Sequence, residues 1–114
     1  KRNRGSIFFT GATASVRGGS GFAAFSSAKF ALRSISQSMA RELGPQGIHV
    51  AHFIIDGAID TAFIKENFPD VYALKEKDGI LQPNAIADAY WFVHTQEKNA
   101  WTHELDLRPY MEKF

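Results

Sequence analysis

The stretch Ser20–Gly44, SGFAAFSSAKFALRSISQSMARELG, reads as one long helix, and it constrains everything around it. Phe25, Ala28, Leu32, Ile35, Met39 and Leu43 fall at three- and four-residue steps and draw one apolar stripe. Gly44-Pro45 is the stop: glycine is expected in the left-handed position after the helix, and proline cannot continue it. The opposite side is small, with Ala23, Ala24, Ser27, Ala31, Ser34 and Ser38, and Phe30 among them. It carries too few charges for a solvent face, so contact with another helix is the favoured reading.

A helix of this length needs sheet to cover, and two segments flank it. Ser6–Thr10, SIFFT, is a short apolar run with aromatic and β-branched members. Ile48–Ile55, IHVAHFII, is the most hydrophobic segment of the chain. Both are apolar on both faces, as in a parallel sheet covered from two sides. Gly11–Gly21 between the first strand and the helix is a Gly, Ala, Ser and Thr loop without periodicity. Asp56-Gly57 marks a turn after the second strand.

Ala58–Leu81 is read as a mobile excursion rather than core. AFIKENF has room for one or two helical turns, Pro69 interrupts, and DVYALKEK offers another. Pro83 looks like a first-turn proline. Asn84–Thr95 then places Ile86, Ala89, Tyr90 and Val93 on one face of an amphipathic helix. His103–Arg108, HELDLR, alternates and reads as a third, edge strand. The order β, α, β, excursion, α, β implies crossovers between parallel neighbours, right-handed in nearly all cases. The fold class expected is α/β: a partial Rossmann-like fold with a three-stranded parallel sheet and crossover helices, half of a doubly wound sheet. Residues 1–114 make one such partial domain.

Composition bounds the rest. The chain is 45% hydrophobic and 22% charged, with a net charge of +1, which offers nothing for nucleic acid or acidic partners. The basic opening KRNR reads as a solvated end. The absence of cysteine excludes disulfides and thiolate metal sites. No apolar run approaches the ~20 residues that span a bilayer, so a soluble, cytoplasmic protein with no membrane contact is expected. The chain opens on Lys1 and enters a strand almost at once, as a chain does when its beginning is lost.

From GSIFFTGATAS through AAFSSAKFALRSISQSMARELGPQGIHV to DGAIDT, the sequence resembles the C-terminal half of a short-chain dehydrogenase/reductase. The resemblance implies a Rossmann-type oxidoreductase that uses NAD or NADP, acts on a small-molecule substrate and assembles as a dimer or tetramer. The family's helix carries Tyr-x-x-x-Lys; here the motif is Phe25-Ser26-Ser27-Ala28-Lys29. The resemblance assigns Lys29 to the nicotinamide ribose and the catalytic tyrosine position to Phe25, which has no hydroxyl to give or take a proton. Loss of a general acid/base typically costs ~10²–10⁴ in rate. The family's serine position falls on Ala12, with Thr13 and Ser15 as nearby hydroxyls. In the family's Pro-Gly stretch, Gly57, Ile59 and Thr61 match and would meet the nicotinamide end of the cofactor. Asp56 replaces the proline, and either caps the turn or discourages an anionic cofactor, the first being favoured.

The family's glycine-rich phosphate loop belongs to the first half of the fold, and the sequence holds no counterpart. Gly19-Ser20-Gly21-Phe22-Ala23-Ala24 fits G-x-G-x-x-A, but a long loop separates it from its strand, so a flexible helix entry is the better account. His49, His52, His94 and His103 show no metal-ligand spacing, and no metal site is expected. His52 lies on the strand leading to the crevice edge, and a packed, hydrogen-bonded histidine is favoured there. Asp56 and Asp60 read as turn residues. Trp91 and Trp101 are expected to fill core or helix–sheet contacts.

Two readings follow. One is a short-chain dehydrogenase-like oxidoreductase, inactive as this chain alone, with Ala58–Leu81 as a lid. The other is a non-catalytic pseudoenzyme or oligomerisation module. A homo-oligomer, formed through the long helix or the exposed edge of the SIFFT strand, is expected in either.

Overall fold

A computed structural model describes residues 4–114; the start of the basic KRNR opening lies outside the described residues. Strand β1 spans Gly5–Ala12, and helix α1 spans Ala23–Leu43. Strand β2 spans Ile48–Ile55. Two short helices follow, α2 at Ala62–Asn67 and α3 at Pro69–Tyr72, and then α4 at Pro83–His94 and strand β3 at Glu104–Leu107. The sheet is parallel in the order β1-β2-β3, so the most hydrophobic strand is central. From His49 to Ile55 every residue of β2 is buried. The three-stranded parallel sheet with crossover helices is the α/β, Rossmann-like half expected from the sequence.

Successive strand residues point to opposite faces, and the two faces differ in chemistry. Phe53, Ala51 and Ile55 face α4 and form the core with Leu81 and Val93. The Tyr90 ring stacks on Phe53 with centroids 3.7 Å apart, and Phe8 meets both rings edge-on. Ile86, Tyr90 and Val93 therefore use the α4 face read from their spacing, and Pro83 does open that helix. The other sheet face carries Gly11, His52 and Glu104 and is covered by α1.

That polar sheet face overturns the expected orientation of α1. Ser26, Lys29, Arg33, Ser36 and Ala40, again at three- and four-residue steps, lie inward. Ser36 is fully buried, and Arg33 donates two hydrogen bonds to Glu104, at 2.9 and 2.8 Å. The apolar stripe is only half covered: Leu32, Met39 and Leu43 are half-buried, and Phe25 and Ile35 are 50% and 49% exposed. The small-residue side is exposed as well. The inward side of α1 is set by what the sheet needs: the half-buried Glu104 carboxylate is stabilised by a hydrogen-bonded cation, and a leucine row would leave it without one.

Three local expectations also change. Gly44 has right-handed helical geometry (φ −54°), a 3-10 turn runs over Gly44–Gln46, and the left-handed residue is Gly47. Pro45 thus tightens the end of the helix rather than following a left-handed cap. Residues 58–81 are folded: Pro69 opens α3, a 3-10 turn runs over Ala73–Lys77, and Ile80 and Leu81 are buried. A bridge between Ile59 and Leu81 ties the two ends of the excursion together. Trp91 is 67% exposed and fills no core contact, whereas Trp101 stacks on His49 at 4.5 Å.

The chain steps from β1 to β2 to β3 in one direction, yet α1 and α4 cover opposite faces. Two such crossovers must have opposite hands, so one of them departs from the right-handed rule.

Candidate functional site

The site is built where the carboxyl ends of β1 and β2 meet the first turn of α1, the usual crevice of α/β sheets. Ala12 is the last residue of β1, and beyond it Thr13–Ser15 makes a 3-10 turn. Ser26 ties the following loop to α1: its buried hydroxyl lies 3.0 Å from the Ala14 carbonyl and 3.3 Å from the Arg17 carbonyl. The result is an open cavity of about 390 Å³ lined by Ala12, Thr13, Arg17, Phe22, Phe25 and Gly57, among others.

Ala12, Phe25 and Gly57 are thereby brought to one cavity. Lys29 lies one turn along α1 from Phe25 and outside the cavity wall. Its Nζ is 5.7 Å from the Phe25 ring centre and donates to the Thr10 carbonyl at 3.3 Å. Ile59 and Thr61 lie further along. Leu81 bonds Ala58 and Asp60 on either side of Ile59, and Ile59's own N–H and C=O make no backbone hydrogen bond among the described residues. Thr61 caps α2, its hydroxyl accepting from the Ile64 N–H at 3.3 Å.

The hydroxyls near Ala12 are occupied. Thr13 donates to Asp56 Oδ1 at 2.5 Å, so its proton is committed. Ser15 is fully buried and accepts the Ala12 N–H at 3.0 Å. Neither hydroxyl stands free beside Ala12.

Asp56 does more than cap a turn. It is buried, takes the Thr13 hydroxyl, and pairs with Arg108 Nε at 3.4 Å. Arg108 also bonds Asp106 and stacks on the Phe114 ring. Burial would lower the Arg108 pKa, but Asp106 and Asp56 outweigh it and raise it above the usual arginine value. The Asp56 carboxylate is therefore neutralised within the chain and joins the ends of all three strands. Gly57 follows with φ +145°, and a Cβ there would lie 2.9 Å from Pro109 Cδ, so glycine is required.

Behind the site, His52 is fully buried and its Nδ1 donates to Glu104 Oε2 at 3.0 Å. It is the packed, hydrogen-bonded histidine favoured from the sequence. Its Nε2 has no partner among the described residues and lies beside Ser15 at Gly11. Burial pushes the Glu104 carboxyl up, but Arg33 and His52 outweigh that and hold it below the usual glutamate value. Among the described residues no cluster of three or more metal-ligating side chains occurs, and no helix is long and apolar enough to cross a membrane.

Sequence reasoning missed Arg17, Phe22 and the Asp56–Arg108 pair. Arg17 sits in an aperiodic loop whose path is set by Ser26, a residue read only as filler of the Tyr-x-x-x-Lys motif, and Phe22, which the sequence places inside the long helix, stands just ahead of its first turn at Ala23. Arg108 was read as a strand end, and the substitution of proline by Asp56 was the one signal that a partner cation should exist.

Comparison with known proteins bears on these positions. A family model described as short chain dehydrogenase matches residues 1–71. No curated protein matches the chain. A short-chain dehydrogenase structure from Rhodopseudomonas palustris is 52% identical, with TM-score 0.69, over 95% of this chain and 40% of that one. The closed form of a serine dehydrogenase complexed with NADP+ is 20% identical, TM-score 0.77, over 99% of this chain and 47% of that one. An NADPH-bound short chain oxidoreductase from Pseudomonas aeruginosa PAO1, with an atypical catalytic center, is 17% identical, TM-score 0.75, over 96% of this chain and 46% of that one. The chain spans less than half the length of each of these three structures.

Proposed function

The chain belongs to the short-chain dehydrogenase family, and from that premise we propose that it supplies the nicotinamide end of an NAD- or NADP-dependent oxidoreductase site but transfers no hydride by itself. One observation supports this reading: Ala12 and Phe25, the residues that the family resemblance matches to the catalytic serine and tyrosine, line one cavity, with Lys29 beside Phe25 and no hydroxyl on either side chain. A ketone or alcohol oxygen in this cavity finds no side chain to exchange a proton with, which removes a contribution of ~10²–10⁴ in rate.

The residues present fit one end of the cofactor. Ile59 has an uncommitted N–H and C=O pair suited to a carboxamide, and Lys29 has two further N–H donors beyond its bond to Thr10 for a ribose hydroxyl. The bound nicotinamide would supply the hydride chemistry. Lys29 would orient the ribose, Ile59 the carboxamide, and the Phe22 and Phe25 rings would exclude water from the reacting face. Asp56 is neutralised by Arg108 and adds no repulsion to an anionic cofactor.

Titration of NADH and NADPH into the chain, followed by nicotinamide fluorescence, tests cofactor contact; a flat titration leaves the module reading in its place. Turnover assays of the unmodified chain test inactivity, and hydride transfer at the rates of intact family members would overturn it. The double variant Ala12→Ser with Phe25→Tyr, in a longer form of the protein that completes the fold, is expected to gain turnover.

A second reading, assembly, is favoured by the exposed apolar residues of α1. We propose that Phe25 and Ile35, together with the free edge of β1, mediate a homo-oligomer. Light scattering at high micromolar concentration that returns a monomer would overturn it.

A further inference from the structure

We propose that the cavity at the ends of β1 and β2 binds a small aromatic carboxylate, its ring on Phe22 and Phe25 and its anion on Arg17. The inference rests on the reading of this cavity as the substrate end of the site, and it adds the chemical class of the occupant. Three observations carry it.

First, the cavity wall is mostly apolar. Ala12, Phe22, Phe25 and Ile55 line it, and at about 390 Å³ it falls in the size range of small-molecule sites. The Phe22 and Phe25 side chains at the helix entry offer apolar area on which a flat ring can be buried.

Second, its charge is of one sign. Arg17 is the one charged side chain among the lining residues. The guanidinium makes no ion pair or hydrogen bond among the described residues, while its backbone carbonyl is pinned by Ser26. Asp56, next in the chain to the lining residue Gly57, is buried and already shared by Thr13 and Arg108. An uncommitted guanidinium fork matches the two oxygens of a carboxylate.

Third, the groups that would select a neutral alcohol or ketone are absent. Ala12 and Phe25 offer no hydrogen bond, and the Thr13 proton is held by Asp56. Recognition by charge is what remains.

The probe is 2-naphthoate, read through its own fluorescence anisotropy with the 114-residue chain, and compared with 2-naphthamide. No nicotinamide cofactor is added, so failure of cofactor binding does not obscure the result. Saturable binding of one naphthoate per chain is expected, with the amide weaker by about tenfold, the scale of one charge-assisted pair at an open rim. Arg17→Gln, in an exposed loop, should bring the two ligands to equal affinity. Phe22→Ala should weaken both in parallel. Circular dichroism confirms that each variant is folded. Equal binding of acid and amide by the unmodified chain, an unchanged naphthoate affinity in Arg17→Gln, or binding of neither probe overturns the proposal.

Discussion

The Arg33 guanidinium grips the Glu104 carboxylate through two hydrogen bonds, joining the inward face of α1 to strand β3. The same carboxylate accepts from His52 on β2. Arg33→Ala would leave Glu104 with one partner and expose part of the interface. The side chains are 33% and 24% exposed, so the loss is expected at about 1–2 kcal/mol, below that of a fully buried pair. Urea unfolding should show a lower midpoint at unchanged slope.

The Glu104 carboxyl is held below the usual glutamate range by Arg33 and His52, against its burial. A depressed folded-state value means its contribution is complete above the unfolded value and fades as the pH falls through the folded one. The stability of the protein should therefore drop below about pH 4. In Glu104→Gln this part of the acid limb should disappear. Thermal midpoints measured between about pH 3 and about pH 6 check the difference between the two proteins.

Two glycines should respond to different degrees. At Gly11 an added Cβ would lie 2.4 Å from both His52 Nε2 and Ser15 Oγ, and His52 and Ser15 are fully buried. Gly11→Ala should cost about 1–3 kcal/mol. At Gly44 the backbone is right-handed helical and a Cβ meets nothing within 4 Å. Pro45 follows directly, however, and its ring crowds a Cβ on a helical residue before it, which offsets the reduced freedom of the unfolded chain, so Gly44→Ala should cost under about 1 kcal/mol. Equilibrium unfolding of both variants checks the order.

Lys29 Nζ lies over the Phe25 ring. A hydroxyl added by Phe25→Tyr would lie near that cation, and its ionised form would be favoured. The added tyrosine should ionise below the usual value of about 10. Ultraviolet difference titration against the unmodified chain isolates it from Tyr72, Tyr90 and Tyr110. Lys29→Met in the same background should return the value towards 10.

Much of the fold was legible because its signals are local. The buried run of β2, the proline opening α4 and the Ile86–Tyr90–Val93 face each report on a few neighbouring residues. The family motif likewise placed Ala12, Phe25 and Gly57, which meet at one cavity. The orientation of α1 was not legible. Its apolar stripe had the right spacing for a core face, and the polar face won because Glu104, distant in sequence, lies on the sheet beneath it.

The amino-acid sequence by itself determined the element types, the parallel sheet and the missing hydroxyls, since each depends on side-chain chemistry or on spacing within one segment. Tertiary structure alone decided which side of α1 turns inward, which cation neutralises Asp56, and that Arg17 stands at the cavity rim without an anion. Those outcomes are pairings between charges far apart in the chain. A buried charge is stabilised only by the partner that folding brings to it, and no periodicity announces that partner.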